Sequence, residues 1–182
     1  MIICLDPGHG MGNKARGIYD SGAIGGGIKE ETVAMHYVNV LRGILMRMGH
    51  QVIRTRVDDK DPCPVSRRDD IAISYRCQRM VSFHCNAADG KATGTEVFYR
   101  GENDRALAAA FSRTVSQQLG LKDRGAKTEK ESQHTQLAIM DFDKCWLIEL
   151  GFIDNPTDRA RITDPLRIAN VCEALAHLIV TG

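Results

Sequence analysis

Four ionisable side chains stand where apolar segments end or break. His9 follows the apolar run Ile2–Leu5 through Asp6-Pro7-Gly8, and His84 closes Met80-Val81-Ser82-Phe83. Glu30 opens a helical pattern, and Glu149 interrupts the apolar stretch Trp146–Leu150. In an α/β sheet, residues just past the carboxyl ends of strands line the usual ligand crevice. Two imidazoles and one carboxylate form a His2Glu set, which holds hydrolytic zinc (Zn2+) and leaves a fourth position for water. Magnesium or calcium would call for more oxygen donors. The plainer reading of the same residues is a pair of satisfied strand-end histidines and a glutamate that serves only the helix dipole.

The helix decides which of the two adjacent glutamates, Glu30 or Glu31, matters. At 100° per residue, Val33, Ala34, Tyr37, Leu41, Ile44, Leu45 and Met48 all fall within about 60° of Glu30. Glu30 therefore sits at the centre of the apolar face, where a carboxylate is rare unless paired or bound to a cation. Glu31, about 100° away, lies at the edge of that face and suits the dipole role. Between His9 and Glu30 lie 20 residues, seven of them glycine. A loop of that length without function is uncommon. A phosphate-binding loop is excluded, because the third glycine of G-x-G-x-x-G would fall on Asn13 and no helix starts there.

The remaining pattern supplies the elements that position these groups. Strands are expected at Ile2–Leu5, Gln51–Thr55, Met80–His84, Gly94–Tyr99, Ala138–Met140 and Trp146–Leu150. Helices are expected at Lys29–Met48, from about Arg67 to Cys77 with Ser66 as cap, about Asn103 to Leu119, from Asn155-Pro156, and about Pro165 to Val180. Alternating strands and helices predict an α/β fold: one domain over residues 1–182, a twisted, mostly parallel or mixed sheet of about six strands with helices on both faces. A formal net charge of +1, with 43% hydrophobic and 26% charged residues, gives no electrostatic reason for a nucleic-acid partner. No apolar run is long enough to insert into a membrane, and the first residues lack the basic region of a signal peptide. The six cysteines have no Cys-x-x-Cys spacing and read as reduced core residues of a chain made in the cytoplasm. His36, His50 and His177 read as surface or boundary residues, whereas His134 lies in a polar stretch that could approach the crevice.

Five segments, in order, resemble the zinc-dependent N-acetylmuramoyl-L-alanine amidases of bacterial and phage cell-wall lysis. They are "LDPGHG", "DSGAIGGGIKEETVAM", "SFHCNA", "GTEVFY" and "LIELGFIDN". "SRRDDIA" is similar to the family's arginine-bearing helix, with Arg68 as the match. The resemblance implies zinc held by His9, Glu30 and His84, Glu149 as the catalytic acid–base, and Asn86, Arg68 and His134 near the substrate or behind the ligands. It implies hydrolysis of the amide between N-acetylmuramic acid and L-alanine in peptidoglycan. Only 64 residues separate His84 from Glu149, too few for the extra helix with which some members block the metal. It further implies a compact enzyme without a separate wall-binding module. Such an enzyme would wait in the cytoplasm and act at the wall after a holin-like protein permeabilises the membrane, as phage endolysins do. Two alternatives share these residues: a zinc peptidase cutting within the stem peptide, and a non-catalytic wall-binding module.

Overall fold

Side chains alternate across a strand, so each strand of a sheet covered on both faces contributes to two cores. The computed structural model describes residues 1–132 and 137–182. Its six-stranded sheet comprises β1 (Ile2–Pro7), β2 (Gln51–Arg54), β3 (Arg79–Asn86), β4 (Thr95–Tyr99), β5 (Asp123–Thr128) and β6 (Cys145–Phe152). The spatial order is β2-β1-β3-β6-β4-β5, parallel throughout except for the antiparallel β6–β4 pair.

Helices α1 (Glu30–Arg47), α3 (Arg105–Leu119) and α5 (Pro165–Thr181) cover one face, over Ile3, Leu5, Val81, Phe83, Trp146 and Ile148. α1 alone turns Val33, Tyr37, Leu41, Ile44 and Leu45 into this core. Each such side chain contributes about 1.5–3 kcal/mol, so Leu41→Ala costs about 2–5 kcal/mol. Helix α4 (Pro156–Ile162) starts as expected: the Asn155 side chain accepts from the Thr157 and Asp158 amides, and Pro156 occupies the first turn. The other face is thinner. Helix α2 (Arg68–Ser74) and a 3-10 turn, Ala138–Asp141, close it around Cys4, Ala72, Met80, Ile139 and Leu147. All six cysteines are buried free thiols.

Three expectations change. Ala138–Met140 is the 3-10 turn rather than a strand; β6 already has β3 and β4 as neighbours, so its apolar residues bury Ile139 and Met140 against the thin face instead. Asp123–Thr128 pairs as an edge strand although its polar sequence shows no alternation. Ser66 does not cap α2. Pro64 fixes an extended entry, a 3-10 turn follows at Val65–Arg67, and the helix begins from Arg67 without a side-chain cap.

Candidate metal centre and active site

On the thin face the apolar alternation turns polar toward one end of the sheet. β1 presents Cys4 then Asp6, β3 presents Met80, Ser82 then His84, and β6 presents Cys145, Leu147 then Glu149. Register aligns these residues into rows. Asp6 pairs with Ser82 and Ser82 with Leu147; one step further, His84 pairs with Glu149 and Glu149 with Glu96 of β4. His84, Glu149 and Glu96 thus stand side by side on three adjacent strands.

Glu30 reaches the row from above. The 20-residue loop folds into two small hairpins, Gly10–Met11 against Tyr19–Asp20 and Ile24–Gly25 against Ile28–Lys29. Its carbonyls then cap α1: the Glu30 amide donates to Ala23 O at 2.9 Å and the Glu31 amide to Ser21 O at 3.1 Å. Glu30 Oε1 lies 2.9 Å from His9 Nε2 and 2.9 Å from His84 Nδ1, and accepts from the Cys85 amide. Glu30 Oε2 accepts from the Ala23 amide. Two glycines make room for this. A Cβ at Gly8 would come within 2.4 Å of His84 Nε2, and one at Gly22 within 2.6 Å of Glu30 Oε2.

One donor atom from each of His9, Glu30 and His84 lies within 4.8 Å of the others. Their chemistry, two imidazoles and a carboxylate, fits zinc. His9 carries the support expected of a ligand histidine: its Nδ1 lies 3.0 Å from Asp20 Oδ2, which turns Nε2 toward Glu30. Asp20 in turn accepts from Asn13 Nδ2 and the Gly22 amide. Burial alone would lower the His9 pKa, but hydrogen bonds to Glu30 and Asp20 outweigh it and raise it. Burial would raise Glu30, yet the two imidazoles hold it well below the usual carboxylate range.

His9 itself adopts a left-handed backbone, φ 61°. Non-glycine residues hold such a conformation only where the surroundings enforce it. Two buried arginines do so. Arg56 donates to the carbonyls of Pro7 and Gly8, and Arg68 to those of Pro7 and His9. Arg68 also binds Asp6 Oδ1 at 2.7 Å. It is therefore a clamp behind the ligand loop, only 2% exposed, with both Nη atoms occupied by protein oxygens. The sequence pattern does not single out Arg56 or Asp20. An arginine just past a strand and an aspartate in a glycine loop carry no signal without knowing where the loop folds back. Glu31 also departs from expectation. It is buried, 3.1 Å from Arg56 Nη2, and accepts from Tyr19 Oη.

Glu149 faces a cavity of about 500 Å³ that His9, Glu30 and His84 also line. Its Oε2 is buried without a hydrogen-bond partner among the described residues. Burial, with the Glu30 and Glu96 carboxylates nearby, pushes Glu149 well above the usual carboxylate range. Asn86 lines the same cavity and donates to Glu96 Oε1 at 2.9 Å. His134 lies outside the described residues. His36 and His177 are exposed, and His50 is partly buried beside the N-terminus.

Known proteins are similar to this chain along nearly its whole length. The uncharacterized protein YqiI of Bacillus subtilis is 30% identical over 99% of this chain and 82% of its own length. The probable cell wall amidase LytH of Staphylococcus aureus is 30% identical over 90% of this chain, which spans only 52% of LytH. The amidase AmiC2 of Nostoc punctiforme superposes with a TM-score of 0.84 at 27% identity, covering 99% of this chain and 95% of AmiC2. The family profile of N-acetylmuramoyl-L-alanine amidase matches residues 3–181, and the chain belongs to that family.

Proposed function

We propose that the chain hydrolyses the amide between N-acetylmuramic acid and L-alanine in peptidoglycan with zinc held by His9, Glu30 and His84. Membership of the amidase family gives the reaction. The observation that carries the site assignment is the convergence of those three donors beside a carboxylate with an unpaired oxygen. Zinc held there supplies a Lewis acid for the amide carbonyl, an acidified water, and a positive charge that favours ionised Glu149. Glu149 takes a proton from the attacking water and delivers it to the departing alanine nitrogen. The C–N bond breaks, leaving a lactyl carboxylate on the sugar and a free amine on the peptide. Asp20 holds His9 in the tautomer that presents Nε2, and Arg56 and Arg68 hold the His9 backbone. Asn86 acts at one remove, through Glu96.

Purified sacculi provide the test. Digestion should release peptides with a free L-alanine amine and leave the sugars intact, as read by mass spectrometry, with about one zinc per chain by metal analysis. Cleavage inside the stem peptide would overturn the amidase assignment in favour of a peptidase. Binding without cleavage would favour a wall-binding module. His84→Ala should lower zinc occupancy. Among the described residues no helix is long and apolar enough to cross a membrane. We place the site of action at the wall, reached after a holin-like protein permeabilises the membrane; fractionation before and after permeabilisation tests that route.

A further inference from the structure

The cavity in front of Glu149 has a cationic wall that the hydrolytic step does not use. Arg124 and Lys127, both on edge strand β5, line it together with Glu96. Arg124 Nε donates to Glu96 Oε2 at 2.6 Å, and Lys127 Nζ donates to the same oxygen at 2.6 Å. The Arg124 guanidinium also lies over the Phe152 ring, 5.1 Å from its centroid. Anchored at Nε and seated on an aromatic face, it is a preorganised fork. Neither Nη atom has a partner among the described residues. Lys127 likewise makes one hydrogen bond of the three its ammonium can donate. Glu96 takes one donor from each cation, Glu131 lines the same cavity, and among the described residues at least four N–H donors of Arg124 and Lys127 have no partner.

A second cavity of about 510 Å³ flanks the metal donors on the opposite side and differs in kind. Val65, Ile139 and Leu147 line it, and both Nη atoms of its Arg68 are occupied by protein oxygens. Lys14 also lines this second cavity, but its side chain is three-quarters exposed and held only by Asp20 at 3.4 Å. The anchored, preorganised cationic donors with open N–H groups lie on the β5 side. A planar fork with two open Nη groups matches a carboxylate in bidentate geometry.

We propose that Arg124 and Lys127 form a carboxylate-binding subsite for the peptide side of the substrate, so that the stem peptide leaves along β5 and the sugar lies toward the apolar cavity. This rests on the amidase reading above. N-acetylmuramoyl peptides with free carboxylates, and the same peptides with carboxamides in their place, provide the test. The zinc-loaded protein should show kcat/KM at least about tenfold higher on the acid form, mostly through KM, in keeping with a hydrogen bond to a charged group. Arg124→Gln and, separately, Lys127→Gln should bring that ratio toward one. Equal rates of the native protein on both substrates overturn the subsite and leave the amidase reading standing. A variant that slows both substrates equally also overturns it, because its cation then serves only to neutralise Glu96. If neither substrate is cut at the lactyl amide, the parent reading fails and the subsite with it.

Discussion

Two carboxylates interrupt apolar strands on the same face of the sheet, and their surroundings are opposite. Asp6 on β1 has every need met: Arg68 Nη1 at 2.7 Å, Ser82 Oγ at 2.6 Å and Thr55 Oγ1 at 2.5 Å. Burial alone would raise its pKa, but the Arg68 charge and the two hydroxyls outweigh it and hold Asp6 below the usual range. Among the described residues Glu149 on β6 meets no cation and keeps a buried oxygen without a partner, and its pKa is driven up. In sequence the two look alike. What separates a structural carboxylate from a chemical one is how far its lone pairs are satisfied, since an unsatisfied buried acceptor costs about 1–3 kcal/mol unless something else uses it.

The sharpest break of this contrast is Glu149→Gln. Turnover on sacculi should fall by about 10²–10⁴-fold, the usual share of a general acid–base, while the melting temperature stays level or rises because an unpaired buried acid is gone. Near-native turnover would remove Glu149 from its role. Asp6→Ala should do the reverse and act first on the fold. Leaving Arg68 buried without its counter-charge costs about 3–5 kcal/mol, readable as a lower midpoint in urea. Asp20→Ala falls between the two carboxylates in kind, because it touches the site through His9; a loss of about 10–100-fold in zinc affinity is expected, measured by competition with a chromogenic chelator. Acid gives the mildest separation. Asp6 has a folded pKa below its unfolded one, so its contribution is fully present above about pH 4 and is lost as pH falls through the folded value. Denaturant midpoints from pH 6 to pH 2 should show that decline in the native protein and a shallower one in Asp6→Asn.

Much of this architecture is legible in the sequence. Helical periodicity alone selected Glu30 over its neighbour, because a carboxylate at the centre of an apolar face demands a partner. Strand-end placement selects His9 and His84 for a different reason: the ligand crevice of an α/β sheet lies past the carboxyl ends of its strands. The parts that were not legible depend on contacts distant in sequence. Arg56 meets Pro7 and Gly8 only because β2 lies beside β1, and Asp20 meets His9 only because the glycine loop doubles back. A helical wheel sees one helix and so assigns Glu31 to the dipole, whereas its burial comes from Arg56 and Tyr19. Strand β5 escaped because Asp-Arg-Gly-Ala-Lys-Thr has no apolar face of its own; pairing with β4 makes it a strand.

That last element has a bearing on solubility. β5 ends the sheet, so among the described residues one side of its backbone has no neighbouring strand, and such borders invite another chain to add on. Its charged residues, Arg124 and Lys127 among them, discourage that docking. Neutralising both together should therefore make the protein more prone to self-association, which light scattering of the double variant at rising concentration would register.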